Sequence, residues 1–375
     1  MKKEYIMGYK AVMFDKQDRK RVRDFLHFPA SLYPKNTRMQ DAETEAAILR
    51  GEHPLSHYFT VYPFLVYDAD NRTAARCMLT VYPDQPNAYI GFFECIRDAD
   101  AAKCAFSAAE KQAKALGCTA VTGPVDASFW IRYRLKTNCF DRPPYTGEPY
   151  NLPYYEAFFQ ENGYCVSGEY ISNRYGKVPQ TYLTQKNMRR LQYFAENGYA
   201  ICSLEKDTFE KSLHEIYRML IPLYSDFQTF SPITENEFCT LYAGMKYAAD
   251  YRMVKIAYQN GKAVGFFVTL PNYGNAANRK RSLSGLWNIR QVKKNPQDYI
   301  LLYLGAEPEH PGLGKALSES ILRELCEKQA VSVGALIRKG KVTGGYFSQL
   351  IEQQYTYALY EKNLMPCSDR NSGKQ

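Results

Sequence analysis

Apolar and polar positions along this chain follow two periods, and the periods succeed one another in an order that occurs twice. Tyr5 to Phe14 reads as a mixed strand, followed by a basic amphipathic helix near Lys16 to Phe28 that Pro29 closes. Phe59 to Tyr67 and Thr73 to Tyr82 are two β-rich runs joined by Asp68-Ala69-Asp70-Asn71-Arg72, which predicts a hairpin. A strand over Tyr89 to Cys95 leads to a helix from Ala99 to Leu116, ended by Gly117. Ala120 to Thr122 is a short strand stopped by Gly123-Pro124. Pro153 to Asn162 reads as a helix capped by Gly163, and Tyr164 to Tyr175 as closing strands.

The second half repeats the order. Ala200 to Leu204 reads as a strand, with Thr208 to Leu220 and Glu235 to Ala249 as helices. Arg252 to Tyr258 and Ala263 to Leu270 form a hairpin across Gln259-Asn260-Gly261-Lys262, where Asn-Gly is the turn signal. Asn272 to Asp298 reads as a polar loop before a strand at Ile300. A helix from Gly314 to Gln329, a strand from Val331 to Ile337, a helix from Gly345 to Gln353 and a strand from Tyr355 to Tyr360 complete it. The halves match in order and not in residues, so the pattern predicts an architectural duplication: residues 1–177 and 178–364, joined near Lys177 to Gln185, with a disordered tail over 365–375.

Composition adds little to this outline. At 375 residues the chain is long for one ordinary domain, and two suit its length. A net charge of +9 favours anionic partners such as nucleotides, acyl-CoA or RNA. None of the ten cysteines forms a CxxC pair, and His53-Pro54-Leu55-Ser56-His57 lacks a third ligand, so no metal site is expected. The N-terminus lacks an apolar signal core and no run reaches the length of a membrane span, so the expectation is a cytoplasmic protein.

Residues 300–325 change the picture. The strand Ile300-Leu301-Leu302-Tyr303-Leu304 breaks into Gly305-Ala306-Glu307-Pro308-Glu309, then His310-Pro311-Gly312-Leu313-Gly314-Lys315-Ala316, and opens straight into a helix. Such a turn aims unpaired N–H groups and the positive end of the helix dipole at one spot, which suits a phosphate or pyrophosphate. The first-half counterpart, Ile96-Arg97-Asp98-Ala99-Asp100, has no glycine, and its aspartates suit helix capping and would repel a pyrophosphate.

This order, with a glycine turn after the fourth strand, resembles the GCN5-related N-acetyltransferase superfamily, whose motif reads Arg/Gln-x-x-Gly-x-Gly/Ala. Here the matching run is Pro311-Gly312-Leu313-Gly314-Lys315-Ala316, with proline where the motif opens on Arg or Gln. The chain is also similar to a bacterial family of tandem acetyltransferase-like proteins. The matching stretches are Gly91-Phe92-Phe93-Glu94, Gly123-Pro124 with Ser128, Phe140-Asp141-Arg142-Pro143-Pro144, Tyr150-Asn151-Leu152-Pro153-Tyr154-Tyr155 and Tyr357-Ala358-Leu359-Tyr360-Glu361-Lys362. Trp130, Arg132 and Arg134 depart from the Asn, acidic residue and Gly that follow the serine in that pattern.

The resemblance implies an α/β (α+β) fold of two tandem domains, each a mixed, mostly antiparallel sheet flanked by helices. It implies acetyl-CoA or another acyl-CoA as co-substrate, no metal, and transfer to a small amine by direct attack at an interdomain cleft. A splayed fourth strand would hold pantetheine along Leu304, Gly305 and Ala306, with the pyrophosphate on Gly312, Leu313, Gly314, Lys315 and Ala316. Tyr346 would supply the acid and Glu307 the base through water, while Glu94, Ser128, Asn151 and Tyr155 would face substrate. Structural roles compete at several of these positions: an ion pair for Glu94, helix capping for Asn151, packing for the tyrosines. The same architecture would also accommodate transfer of an amino acid from aminoacyl-tRNA, to which +9 is suited, or a catalytically silent binding protein.

Overall fold

The computed structural model describes residues 3–6, 8–279 and 283–365, so the tail over 366–375 and the basic residues Lys280 and Arg281 lie outside the described residues. In chain order the strands are β1 Lys3–Ile6, β2 Tyr9–Met13, β3 Thr60–Tyr67, β4 Thr73–Val81, β5 Asn87–Cys95, β6 Ala120–Gly123, β7 Leu135–Lys136, β8 Cys165–Tyr175, β9 Tyr199–Ser203, β10 Lys255–Gln259, β11 Lys262–Pro271, β12 Asp298–Ala306, β13 Val331–Arg338 and β14 Ile351–Asn363. The helices are α1 Arg19–His27, α2 Pro29–Leu32, α3 Ala42–Arg50, α4 Ala99–Ala115, α5 Tyr155–Glu161, α6 Arg189–Glu196, α7 Phe209–Tyr224, α8 Glu235–Tyr242, α9 Met245–Ala248, α10 Leu283–Lys294 and α11 Leu313–Lys328. Two compact units form, and neither is continuous in sequence. The first takes the described residues up to Thr137, Pro149–Gly168 and those from Ala358 onward; the second takes Asn138–Glu148 and Glu169–Tyr357.

In the first unit the strands run β1-β2-β3-β4-β5-β6 and end on the last residues of β14, with Tyr360 opposite Gly123. All neighbours are antiparallel except β5 and β6. Helix α4 starts at Asp98, whose carboxylate accepts the amides of Asp100 and Ala101. Its alanine-rich face lets the helix lie close on the sheet, where Phe93 stacks on Phe106 and Phe159 meets Phe106 and Tyr164 edge to face.

In the second unit the order is β8-β13-β12-β11-β10-β9, with only β12 and β13 parallel. The β10–β11 hairpin turns at Asn260 and Gly261, both with positive φ (50° and 78°), as the Asn-Gly signal requires. Gly265 lies against Leu313 and Leu317 of α11, whereas Gly305 lies against Leu223 of α7 and Phe266. Gly265 pairs with Ala306, and Phe266 with Gly305. Helix α11 therefore covers one face of the sheet and α7 the other.

Three expectations need correction, and two helices are new. The loop over Asn272 to Asp298 contains α10; its sequence has no sharp apolar stripe, and Leu286 and Trp287 stay exposed. The helix over Gly345 to Gln353 is replaced by two 3-10 turns, Val342–Gly345 and Ser348–Leu350, because Phe347 sits at φ 56° and β14 begins at Ile351. The helix over Glu235 to Ala249 is broken at Gly244 into α8 and α9. Helices α3 and α6 are additions: α3 has a legible frame, Asp41 capping Thr44 and Gly51 at φ 74°, but α6 has no side-chain cap of its own at Met188.

Candidate active site

Strand β12 is paired differently on its two edges. Against β11 the ladder runs to its last residue, from Tyr299 opposite Pro271 to Ala306 opposite Gly265, with one irregularity between Val268 and Thr269. Against β13 it runs only from Asp298 opposite Val331 to Leu301 opposite Gly334, and then stops. Strand β13 bends away there. Its register on β8 shifts between Gly334 and Ile337, Leu336 adopts φ 58°, and the Leu336 amide turns to the Ser172 hydroxyl at 2.9 Å. Residues Leu302 to Ala306 thus border a wedge whose β12 edge has no strand partner among the described residues. An unpaired strand edge offers N–H and C=O groups to an extended ligand.

Helix α11 begins at the mouth of this wedge. Gly312, at φ 93°, is its N-cap, a conformation that side chains adopt at a cost. The Leu313 amide bonds the His310 carbonyl, and the Lys315 and Ala316 amides bond the Gly312 carbonyl. Those of Gly312 and Gly314 have no hydrogen-bond partner among the described residues. Leu304, Gly314 and Tyr346 meet here: a methyl group placed on Gly314 would lie 3.9 Å from the Tyr346 hydroxyl and 4.0 Å from a Leu304 methyl. Burial raises the Tyr346 pKa, opposed by Arg190, while Glu319 adds to it, so the phenol stays protonated at neutral pH. Lys315 rests its ammonium over the rings of Phe347 (3.5 Å) and Tyr346 (4.7 Å), and burial lowers its pKa.

The group that the sequence did not reveal is Arg190. Its guanidinium atoms lie 3.3–3.4 Å from where a β-carbon on Gly312 would stand, beside the turn whose motif position is taken by Pro311. Helix α6 carries it there. The buried Glu319 of α11 accepts the Leu191 amide at 2.7 Å and so caps α6 from outside its own chain segment. The exposed Arg190 forms no salt bridge among the described residues. Glu307 lies on the other side of the turn, tied to Lys262 at 2.9 Å. His310 hydrogen-bonds the Tyr199 hydroxyl through Nδ1 at 2.8 Å.

The first unit has the same parting of strands, but the chain fills it. Pairing of β5 with β6 covers only Asn87 to Tyr89. Beyond it, a β-carbon on Gly91 would come within 1.9 Å of the Val125 carbonyl oxygen, and the Asp126 carboxylate accepts the Phe92 amide at 2.5 Å. At the start of α4 the Asp98 carboxylate, which also accepts the Tyr9 hydroxyl at 2.9 Å, occupies the amides a phosphate would need.

Glu94, Tyr155 and Asn151 line one pocket of this unit, while Ser128 is absent from its lining; it is buried, and its hydroxyl accepts the Trp130 amide. Asn151 is engaged structurally, accepting the Lys136 amide at 2.7 Å and donating to the Lys136 and Leu152 carbonyls. Tyr155 donates to Glu94 at 2.8 Å and accepts the Cys95 amide at 2.9 Å. Burial pushes the Glu94 carboxyl up to about 6, against the pull of Arg76 and of the Tyr155 hydroxyl. A native pKa above the unfolded value of 4.5 means that the folded state binds the proton more tightly, so stability falls as pH rises from 4.5 to 6. Glu94→Gln should therefore be more stable than the wild type at pH 8 by about 2 kcal/mol. The gain should vanish at pH 4, and urea unfolding at the two pH values checks it; an equal change at both would contradict the burial argument.

Among the described residues no helix is long and apolar enough to cross a membrane, and no three His, Cys, Asp or Glu residues form a metal-holding group. No family model matches the chain. It is 27% identical over 174 residues to a bacterial ceramide synthase of Caulobacter vibrioides, covering 46% of this chain and 44% of that protein. It is 23% identical over 188 residues to the protein YghO of Escherichia coli, covering 50% and 48%. The alignments span about half the length of these relatives. Among solved structures, a tandem GNAT protein from the clavulanic acid biosynthesis pathway superposes with a TM-score of 0.53 at 12% identity, covering 96% of this chain and 99% of that one. A GCN5-related glucosamine N-acetyltransferase region of a fungal multi-domain β-N-acetylglucosaminidase gives 0.51 at 12%, covering 94% and 38%. With a parted strand pair in each unit and a neighbour matched over nearly its whole length, the chain has the GCN5-related N-acetyltransferase fold in tandem.

Proposed function

We propose that the second unit transfers an acyl group from acyl-CoA to an amine. The observation that carries this is the end of β12–β13 pairing at Leu301, with the start of α11 at the opening. A pantetheine amide chain adds to the free edge of β12 as a further strand would, along Leu304, Gly305 and Ala306. The pyrophosphate takes the amides of Gly312 and Gly314 and the guanidinium of Arg190, which stands in for the side chain that Pro311 removes.

The amine nitrogen attacks the thioester carbonyl, the C–N bond forms, and the oxyanion is held by β12 backbone donors. Collapse breaks the C–S bond. Tyr346 gives its proton to the departing thiolate and is reprotonated by the proton the amine loses through solvent. The name of the Caulobacter relative supports amide formation, since a ceramide is an N-acyl amide, and it favours a long acyl donor.

Calorimetry with CoA, acetyl-CoA and palmitoyl-CoA tests the reading: at least one should bind, and silence from all three at about millimolar ligand overturns it. Salt-sensitive tRNA binding with no CoA binding would point to aminoacyl transfer instead. Arg190→Ala should weaken CoA binding about tenfold, the scale of one charge-assisted phosphate contact, and a dephosphorylated pantetheine thioester should bind both proteins alike.

A further inference from the structure

Helix α10 carries its positive charge and its largest apolar side chains on the same exposed side. Between Asn272 and Gln297 the sequence has six basic residues and no acidic one, so no carboxylate within the segment offsets its charge. The helix uses little of its surface for packing: Ile289 and Val292 are half-buried, whereas Leu286, Trp287, Arg290, Gln291, Lys293 and Lys294 are exposed. Trp287, Arg290, Gln291 and Lys294 follow one another at helical spacing along one side, with Leu286 and Lys293 in the adjoining row. Leu286 is 52% exposed and Trp287 63%. The Lys293 ammonium donates to the Tyr247 carbonyl of α9, and the Tyr247 side chain is also exposed. Arg290 and Lys294 have no ion-pair partner among the described residues. A single exposed apolar residue is ordinary, but an adjacent Leu and Trp beside unpaired cations are the marks of a surface that meets something both anionic and apolar.

We propose that this side of α10 docks on an anionic phospholipid surface. Phosphate headgroups take the guanidinium of Arg290 and the ammonium of Lys294, and Lys293 keeps two donors for another. The Leu286 and Trp287 side chains enter the boundary between headgroups and acyl chains, where an indole sets its ring among carbon and its N–H among polar groups. Apolar burial and charge act together there. That separates a membrane from the other polyanion that six basic residues would suit. A nucleic acid engages the cations and stacks on an indole, but it offers no apolar bed to Leu286. Nothing here rests on the acyl-CoA reading of the wedge, and the test uses no CoA.

The full chain is sedimented with vesicles of phosphatidylcholine alone and with vesicles containing about 30% phosphatidylglycerol, and its tryptophan emission is followed in the same mixtures. It should pellet with the anionic vesicles, shift its emission to shorter wavelength, and be released by about 0.5 M salt. The chain has two tryptophans, Trp130 and Trp287, so the shift should be lost in Trp287→Ala. That variant should bind about tenfold more weakly, and the double variant Lys293→Gln with Lys294→Gln about tenfold or more. Both should melt as the wild type does, because the three side chains are exposed. No pelleting at about 5 mM lipid, equal pelleting with neutral vesicles, unchanged binding by either variant, or binding of tRNA without binding of vesicles overturns the proposal.

Discussion

Gly314→Trp is expected to reduce acyl-CoA affinity by about a hundredfold or more, beyond what calorimetry detects for a micromolar ligand, while the second unit stays folded. Two features of the position set these outcomes apart. The β-carbon has ordinary van der Waals room, since its nearest neighbours would be 3.9 and 4.0 Å away, and replacing glycine near a helix start costs no helix propensity. An indole beyond it would reach the gap between Leu304 and Tyr346, through which the proposed pantetheine arm would pass to the free edge of β12. It would also cover the Gly314 amide. Circular dichroism and the melting temperature report the fold, and calorimetry reports the ligand. Binding as tight as that of the wild type would show that the wedge is not the coenzyme site.

Tyr346→Phe is expected to lower kcat by about a hundredfold to a thousandfold, the usual yield of a positioned general acid, with little change in acyl-CoA affinity. Burial and the nearby Glu319 keep the phenol protonated, and its oxygen is close to Gly314 at the start of α11. Without that hydroxyl the CoA thiolate must leave unassisted, yet the ring still supports the Lys315 ammonium. A loss in kcat that leaves binding intact separates proton donation from packing. Binding lost together with rate would make Tyr346 a wall of the site, and an unchanged kcat would remove it from the chemistry.

The succession of strands and helices along the chain, the two hairpins and the glycine turn before α11 were legible in the amino-acid pattern because each is encoded within a few residues. The Asn260-Gly261 turn, the Asp98 cap of α4 and the left-handed Gly312 each follow from the local backbone preferences of the residues present. Local coding also explains the errors. Gly345 to Gln353 has helical spacing, but the left-handed Phe347 and the pairing of the following segment in β14 outweigh that weak preference.

By itself the sequence determined the tandem order of elements, the glycine turn that opens α11 and the aspartate cap at the matching turn of the first unit. Only the tertiary structure decided that β12 and β13 part after Leu301, that Asp126 fills the corresponding gap in the first unit, and that Arg190 stands beside Gly312. The reason is physical: capping and turn formation are settled between neighbours in the chain. The partners of a strand edge or a guanidinium are chosen by contacts between distant segments, as when Glu319 of α11 anchors the start of α6.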